Sequence, residues 1–267
     1  MIITWRDRKE IDRALPSFLE TVKLLNGEII IVNFGGDGKM LNDLISDKID
    51  YLKVIHVEQQ EFFHKTVAAN IGASYASNEI LFFCDCDIIL DPIQIHELCT
   101  KFKADEGFFG NLVGVTETEV NSIGNNHVTN FGYELRIRTA DGRELKIVDQ
   151  EEDSENGYRN APGLLFVKKQ DFLSIDGYNG DLLGWGWEDQ DMISRLTLGA
   201  GLKRVFHGYA QHISHDDEAR TGNYPEKDRW TSRDHMFRQA LRNYDNNRFK
   251  GTYQSDIERN RHNLIGF

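Results

Sequence analysis

The stretch NEILFFCDCDIILD, Asn78 to Asp91, holds two short apolar runs, Ile80–Phe83 and Ile88–Leu90, with Asp85 and Asp87 between them. Apolar runs this short, bounded by polar residues, suit a buried central strand better than a helix. Such a strand has no cheap place for two carboxylates, because an unpaired buried carboxylate is strongly disfavoured. The strand is therefore expected to end there, with the aspartates meeting a cation at its carboxyl edge. Open α/β sheets bind ligands at that edge. Alone the pair is a weak signal, since Asp-x-Asp is common on surfaces.

Upstream, Met1–Thr4 is a short apolar strand that ends on Trp5-Arg6-Asp7-Arg8. Ile11, Leu15, Phe18, Leu19, Val22 and Leu25 recur at helical spacing over Glu10–Leu25, and Asn26-Gly27 stops that helix. Glu28–Val32 reads as a second buried strand running into Asn33-Phe34-Gly35-Gly36-Asp37-Gly38. Met40–Ile45 follows as a short helix, Tyr51–Val57 as a strand, His64–Ala76 as a helix and Asn78–Ile89 as the fourth strand. This alternation predicts a parallel, doubly wound sheet. The glycines lack the G-x-G-x-x-G spacing, which disfavours a dinucleotide site. They serve either a close backbone approach to a ligand or a simple turn.

Downstream, Ile93–Phe102 is an amphipathic helix and Phe108–Val115 a strand, while Thr116–Asn130 carries no periodic signal. Tyr133–Val148 alternates apolar and charged residues around Ala140-Asp141-Gly142-Arg143, which predicts a hairpin. Asp149–Asn156 reads as an acidic loop, and residues 117–160 as an insertion or acceptor-side region. Leu164–Val167 is a strand and Lys169–Ile175 a helical turn. Glu218–Trp230 is polar and reads as a loop able to cover a site, and Thr231–Tyr244 as a helix. The charged tail to Phe267 receives no role.

With 267 residues, 40% of them hydrophobic, the chain can build one large α/β domain with a packed core. A net charge of −12 argues against nucleic acid as a partner. Cys84, Cys86 and Cys99 are too few for a disulfide framework and lack the second ligand pair of a zinc site, so they read as small core residues. No apolar run approaches the roughly 18 residues of a membrane span, and MIITWRDR is not a signal peptide. The expected location is cytoplasmic, with peripheral association at the inner face of the membrane as a further option.

Two more stretches carry chemistry. In DLLGWGWEDQDMISRL, Asp181 to Leu196, a Gly/Trp loop precedes Glu188, Asp189 and Asp191 at a helix start. Acids in a first helical turn complement the helix dipole, but that leaves Trp185 and Trp187 unexplained. Indole faces beside carboxylates suit sugar recognition, and one carboxylate could serve as a general base. In VFHGYAQHISHDD, Val205 to Asp217, His212 and His215 are spaced to share a metal on a turn.

Together these residues resemble the metal-dependent GT-A glycosyltransferases of family-2 type, with a C-terminal part similar to the β-1,4-galactosyltransferases. Ile3-Thr4-Trp5-Arg6-Asp7-Arg8 resembles that group's Ile-Pro-Phe-Arg-Asn-Arg, and Phe63-His64-Lys65 through Asn70-Ile71-Gly72 its Phe-Asn-Arg…Asn-Val-Gly. Asp85-Cys86-Asp87 resembles its Asp-Val-Asp, Gly184–Asp189 its Gly-Trp-Gly-Gly-Glu-Asp, and His212–His215 its Met-Ile-Arg-His. The departures are Trp187 for a glycine, Gln190 for an acid, and Asn160 where the family has its donor-selecting aromatic residue.

The resemblance implies a single GT-A domain over 1–267, a Rossmann-like mostly parallel sheet flanked by helices, with an inserted hairpin. Residues 1–115 would be its nucleotide-binding half, 116–230 its acceptor and catalytic half, and 231–267 a helical tail. It implies Asp189 as the catalytic base. It implies Thr4, Trp5, Arg6, Arg8, Asn33, Lys65 and Asp85 on the donor nucleotide, and Trp185, Glu188 and Asn160 on the sugars. Asp87, His212 and His215 would hold Mn²⁺, with Mg²⁺ as the alternative. The implied activity is inverting transfer of a hexose or N-acetylhexosamine from a UDP-sugar to a glycan or lipid-linked acceptor, in bacterial surface polysaccharide synthesis. A sugar-nucleotide nucleotidyltransferase and a non-catalytic carbohydrate-binding protein are the alternatives. The first normally carries a glycine-rich basic loop after its first strand, where this chain has Trp5-Arg6-Asp7-Arg8. The second has no need of the metal set.

Overall fold

The structure, a computed structural model, describes residues 1–45, 50–104, 106–119, 130–153, 155–216, 218 and 221–265. In chain order the first elements are β1 (Ile2–Trp5), α1 (Ile11–Leu25), β2 (Ile29–Phe34), α2 (Gly38–Ile45), β3 (Leu52–Val57) and α3 (Lys65–Tyr75). There follow β4 (Ile80–Asp85), β5 (Ile88–Leu90), α4 (Pro92–Ala104), β6 (Phe108–Asn111) and β7 (Gly114–Glu117). The long hairpin β8 (Asn130–Arg138) and β9 (Glu144–Asp153) leads to β10 (Tyr158–Arg159), β11 (Leu165–Lys168), α5 (Lys169–Ser174) and α6 (Glu188–Ser194). The chain closes with β12 (Lys203–Phe206), β13 (Tyr209–His212), α7 (Arg229–Asp245), α8 (Tyr253–Asn260) and β14 (Leu264–Ile265).

The main sheet runs β12-β6-β11-β4-β1-β2-β3-β14. Its centre, β4-β1-β2-β3, is parallel, as the alternating pattern predicts. Every residue of β1 and β2 is buried, because helices cover both faces. Ile3 and Ile31 point to one face, against Ile11, Leu15 and Phe18 of α1. Ile2 and Ile30, one residue away, point to the other, against Val67, Ala68 and Ile71 of α3.

A second sheet, β10-β7-β13-β5, is not predicted from the sequence. It forms because two expected strands each split in two. Asn78–Ile89 leaves the main sheet after Asp85, turns at Cys86-Asp87 and re-enters the second sheet as β5. Phe108–Val115 does the same between Asn111 and Gly114. The hairpin is longer than predicted and takes in much of the expected acidic loop. Its Leu145 and Ile147 pack with Trp187, Leu198, Met236 and Ala240 in a third apolar cluster. The C-terminal tail does have a structural role. β14 pairs with β3 at the sheet edge, and buried Asp256 accepts hydrogen bonds from Asn70 Nδ2 (2.8 Å) and Thr252 Oγ1 (2.7 Å).

Asp191 lies away from the sugar-binding chemistry its neighbours suggest. Its Oδ2 is 2.7 Å from Arg195 Nε, with the two side chains 0% and 1% exposed. Tyr244 donates to its Oδ1 at 2.9 Å, and Arg195 Nη1 donates to Gly177 O. Breaking a buried pair from one side strands the other charge. Asp191→Ala should cost about 3–5 kcal/mol in urea unfolding, whereas Tyr244→Phe should cost about 1 kcal/mol. Equal, small losses would mean the pair adds no net stability.

Candidate active site

Three elements end around one cavity of about 140 Å³: β1 with Thr4, Arg6 and Arg8, β4 with Asp85, Cys86 and Asp87, and the N-terminus of α3 with Lys65. It opens at the carboxyl ends of parallel strands, where this fold class binds ligands. The Gly/Trp loop adds Trp185 and Glu188, and the end of β13 adds His212 and His215. Residues far apart in the chain thus meet as the sequence motifs predict.

At one end lie Asp87, His212 and His215, whose ligand atoms are all within 4.8 Å of one another. Asp87 Oδ2 is 3.5 Å from His212 Nε2 and 3.2 Å from His215 Nε2. Each histidine has its Nδ1 bonded elsewhere, His212 to Glu117 Oε2 at 2.7 Å and His215 to Asp216 O at 2.9 Å. A carboxylate or carbonyl cannot donate, so Nδ1 carries the proton of each neutral ring and Nε2 is left to coordinate. Asp87 Oδ1 is buried without a hydrogen-bond partner. This donor set fits a divalent cation. Arg8 Nη2, at 2.8 Å, is a positive neighbour of Asp87. Despite burial, the contacts with His212 and His215 and the Arg8 charge hold the Asp87 pKa well below the usual carboxylate range.

At the other end three carboxylates share one ammonium. Lys65 Nζ is 3.0 Å from Asp85 Oδ1, 3.2 Å from Asp189 Oδ2 and 3.4 Å from Glu188 Oε1. Burial works against the Lys65 charge, but Asp189, Asp85 and Glu188 outweigh it and raise its pKa well above the usual value. One lysine cannot balance three carboxylates. Burial, helped by the Asp189 charge, pushes Glu188 up to about 7, and burial also raises Asp189. Glu188 Oε2 and Asp189 Oδ1 are buried without partners, as are Arg6 Nε and Nη1. Buried polar atoms left unpaired around one cavity are what a polar ligand would satisfy. Gly163 is required beside them, since a Cβ there would lie 2.8 Å from Asp189 Oδ2.

Asp189 meets Lys65 but is not among the residues that line the cavity; three predicted contacts also lie outside it, and Trp187, which the sequence pairs with Trp185, is core. Trp5 is 0% exposed, packs in the core and donates its indole N–H to Arg8 O. Asn33 is buried and ties the following turn, accepting from Gly36 N and donating to Gly36 O. Asn160 is held by backbone, accepting from Gln150 N and donating to Val113 O. Trp187 is buried against Phe237, with ring centroids 4.5 Å apart. The polar groups of Trp5, Asn33 and Asn160 are taken up by the local fold, and the Trp187 ring by the core. Conversely, Phe63, Arg159, Asn223 and Tyr224 line the cavity without being predicted. Asn223 and Tyr224 come from the expected covering loop, where Phe63 N donates to Asn223 O at 2.8 Å. Only the assignment of Glu218–Trp230 as a loop points to them, and part of that segment lies outside the described residues.

The model of a family described as Glycosyltransferase like family 2 matches residues 19–232. Among solved structures, the chain is similar to the crystal structure of S. aureus TarS 1-349, at 13% identity and a TM-score of 0.52. That match covers 79% of this chain and 59% of the other, so this chain spans less than two thirds of its neighbour. The likeness is one of fold, a GT-A-type arrangement of a large, mostly parallel sheet between helices. No curated protein matches at a significant level. No helix among the described residues is long and apolar enough to cross a membrane.

The raised Glu188 pKa has a stability consequence. Between the usual glutamate range and about 7, the folded protein binds more protons at Glu188 than the unfolded chain does. Stability from this group is therefore lost as pH rises through that window, and stays lost above it. Glu188→Gln should melt at a higher temperature than the parent at pH 8, with the difference vanishing near pH 4. A parent already more stable than Glu188→Gln at pH 8 would overturn the assignment.

Proposed function

The chain belongs to glycosyltransferase-like family 2, and on that premise we propose a metal-dependent, inverting transfer of a hexose or N-acetylhexosamine from a UDP-sugar. The acceptor is a hydroxyl of a glycan or lipid-linked sugar, in the synthesis of bacterial surface polysaccharide. The observation that carries this reading is one cavity with a cation-ready Asp-His-His set at one end and a buried lysine–carboxylate cluster at the other. A carbohydrate-binding module would need the second but not the first.

In this reading Asp87, His212 and His215 hold a divalent cation, Mn²⁺ or Mg²⁺, which supplies charge neutralisation for the departing diphosphate. Asp85 holds the ribose or donor sugar, with Thr4, Arg6 and Arg8 on the nucleotide side. Trp185 stacks on a sugar face and Glu188 accepts from sugar hydroxyls. Asp189 is the base, and Oδ1, which has no partner, is the accepting atom. As its proton moves to Asp189, the acceptor oxygen bonds to the anomeric carbon. The carbon–oxygen bond to UDP breaks on the opposite face, and its electron pair leaves with the diphosphate. Lys65 offsets the carboxylate charge around the reacting centre, and burial keeps water from competing. The division of labour follows the chain: residues 1–115 bind nucleotide, 116–230 bring acceptor and base, and 231–267 brace the fold. The galactosyltransferase-like motifs of the C-terminal part belong to the same proposal.

The test is UDP release from a panel of UDP-sugars with Mn²⁺ and with chelator. One donor hydrolysed or transferred only with metal is the expected result, and no UDP binding by calorimetry would sink the reading. Asp189→Asn should lower turnover about 10²- to 10⁴-fold while UDP and Mn²⁺ still bind. Full turnover in that variant would remove Asp189 as the base.

A further inference from the structure

The second sheet lays side chains from three strands in a line that ends at the cation set. In register, Glu117 of β7 sits opposite His212 of β13, and His212 opposite Ile88, the residue after Asp87. On the far side β10 pairs with β7 and carries Arg159. Glu117 joins these residues with its two oxygens. Oε1 is 3.0 Å from Arg159 Nε, while Oε2 accepts from His212 Nδ1 at 2.7 Å and from Ser214 Oγ at 2.8 Å. Gly157 lets the two strands close over this carboxylate, since a Cβ there would lie 2.9 Å from Glu117 Cβ. Arg159 lines the same cavity as His212, His215 and Asp87. Beyond Glu117, its guanidinium has no hydrogen-bond or ion-pair partner among the described residues.

We propose that Arg159 binds the diphosphate leaving group and that Glu117 is the positioning residue that holds Arg159 and His212 in one rigid frame. The inference rests on the glycosyltransferase reading above and assigns it two residues that neither motif nor spacing identifies. A planar guanidinium fixed through Nε keeps its remaining N–H groups for a second, bidentate anion. Arg159 lies one carboxylate away from His212, so a diphosphate that would bind beside a cation held by His212 would also be the anion Arg159 meets. As the carbon–oxygen bond to UDP breaks, the electron pair passes to the diphosphate oxygen, and Arg159 gains strength there as charge develops. Glu117 contributes in two ways. Its charge sets the Arg159 direction, and its acceptor-only oxygen keeps the His212 proton on Nδ1. A glutamine there could donate to Nδ1 instead and move the proton to Nε2, the nitrogen that faces Asp87.

Calorimetry with UDP and with uridine, on Mn²⁺-loaded and chelated protein, separates the two roles, with Mn²⁺ affinity read by electron paramagnetic resonance without nucleotide. Arg159→Gln should weaken UDP about 10-fold or more, leave uridine unchanged and leave Mn²⁺ affinity unchanged, with Arg159→Lys recovering part of the loss. Glu117→Gln should weaken Mn²⁺ about 10- to 100-fold and weaken UDP as well, without changing uridine binding. Thermal melting within a few degrees of the parent excludes mere unfolding. Were Glu117→Gln to unfold, the Arg159 variants alone would still decide the diphosphate contact. Equal loss of UDP and uridine in Arg159→Gln, or no loss, overturns the inference while leaving the enzyme reading intact. Failure of the parent itself to bind UDP overturns both.

Discussion

Everything at the site follows from the cost of keeping Asp85 and Asp87 near the core. Neither can sit in the middle of a fully covered parallel strand without a partner. The chain meets this constraint by leaving the main sheet between them. β4 ends on Asp85, which turns toward Lys65, and the next residues carry Asp87 toward His212 and His215 before β5 enters a different sheet. One break in one strand thus separates two carboxylates, two residues apart, into two electrostatic environments. One faces an ammonium among carboxylates, the other a nitrogen pair and Arg8.

The two environments differ in what they lack. Around Lys65 there is more negative charge than one ammonium balances, so Glu188 and Asp189 are pushed toward their protonated forms. Around Asp87 the neighbours are cationic or able to be, and its pKa falls. Carboxylates are thus raised at one end of the site and lowered at the other. The second sheet sets the spacing between them. β13, β7 and β5 are rigidly registered, so the histidine nearest Asp87 cannot drift. The third apolar cluster, with Trp187 and α7, backs the Gly/Trp loop from behind. It leaves Trp185 as the indole that reaches the cavity.

Much of this was legible in the chain. Period and punctuation sufficed for the parallel core, because β1, β2 and β4 are buried on both faces and read as unbroken apolar runs. The Asp-x-Asp, Glu-Asp and His-x-x-His groups were legible because each needs a short fixed spacing on one turn. Four residues lie away from the cavity for a common reason. Trp5, Asn33, Asn160 and Trp187 have the right chemistry for a sugar site, but their polar atoms or ring faces are taken up by turns and cores that form around them. A residue's type shows what it can bind, and not whether the fold has already bound it.

The sequence by itself determined the strand and helix alternation, the carboxyl edge as the place of the site and the kinds of side chain gathered there. These are local properties, set by hydrophobic period and by the chemistry of single residues and short spacings. Tertiary structure alone decided that β5 and β7 leave the main sheet, that Asp191 is a core ion pair, and that Glu117 and Arg159 reach His212. Those outcomes depend on the register between strands far apart in the chain, as His212 opposite Ile88 and Glu117 shows, and on competition among buried charges for few partners. No local pattern encodes either, because both are settled only when the whole chain has packed.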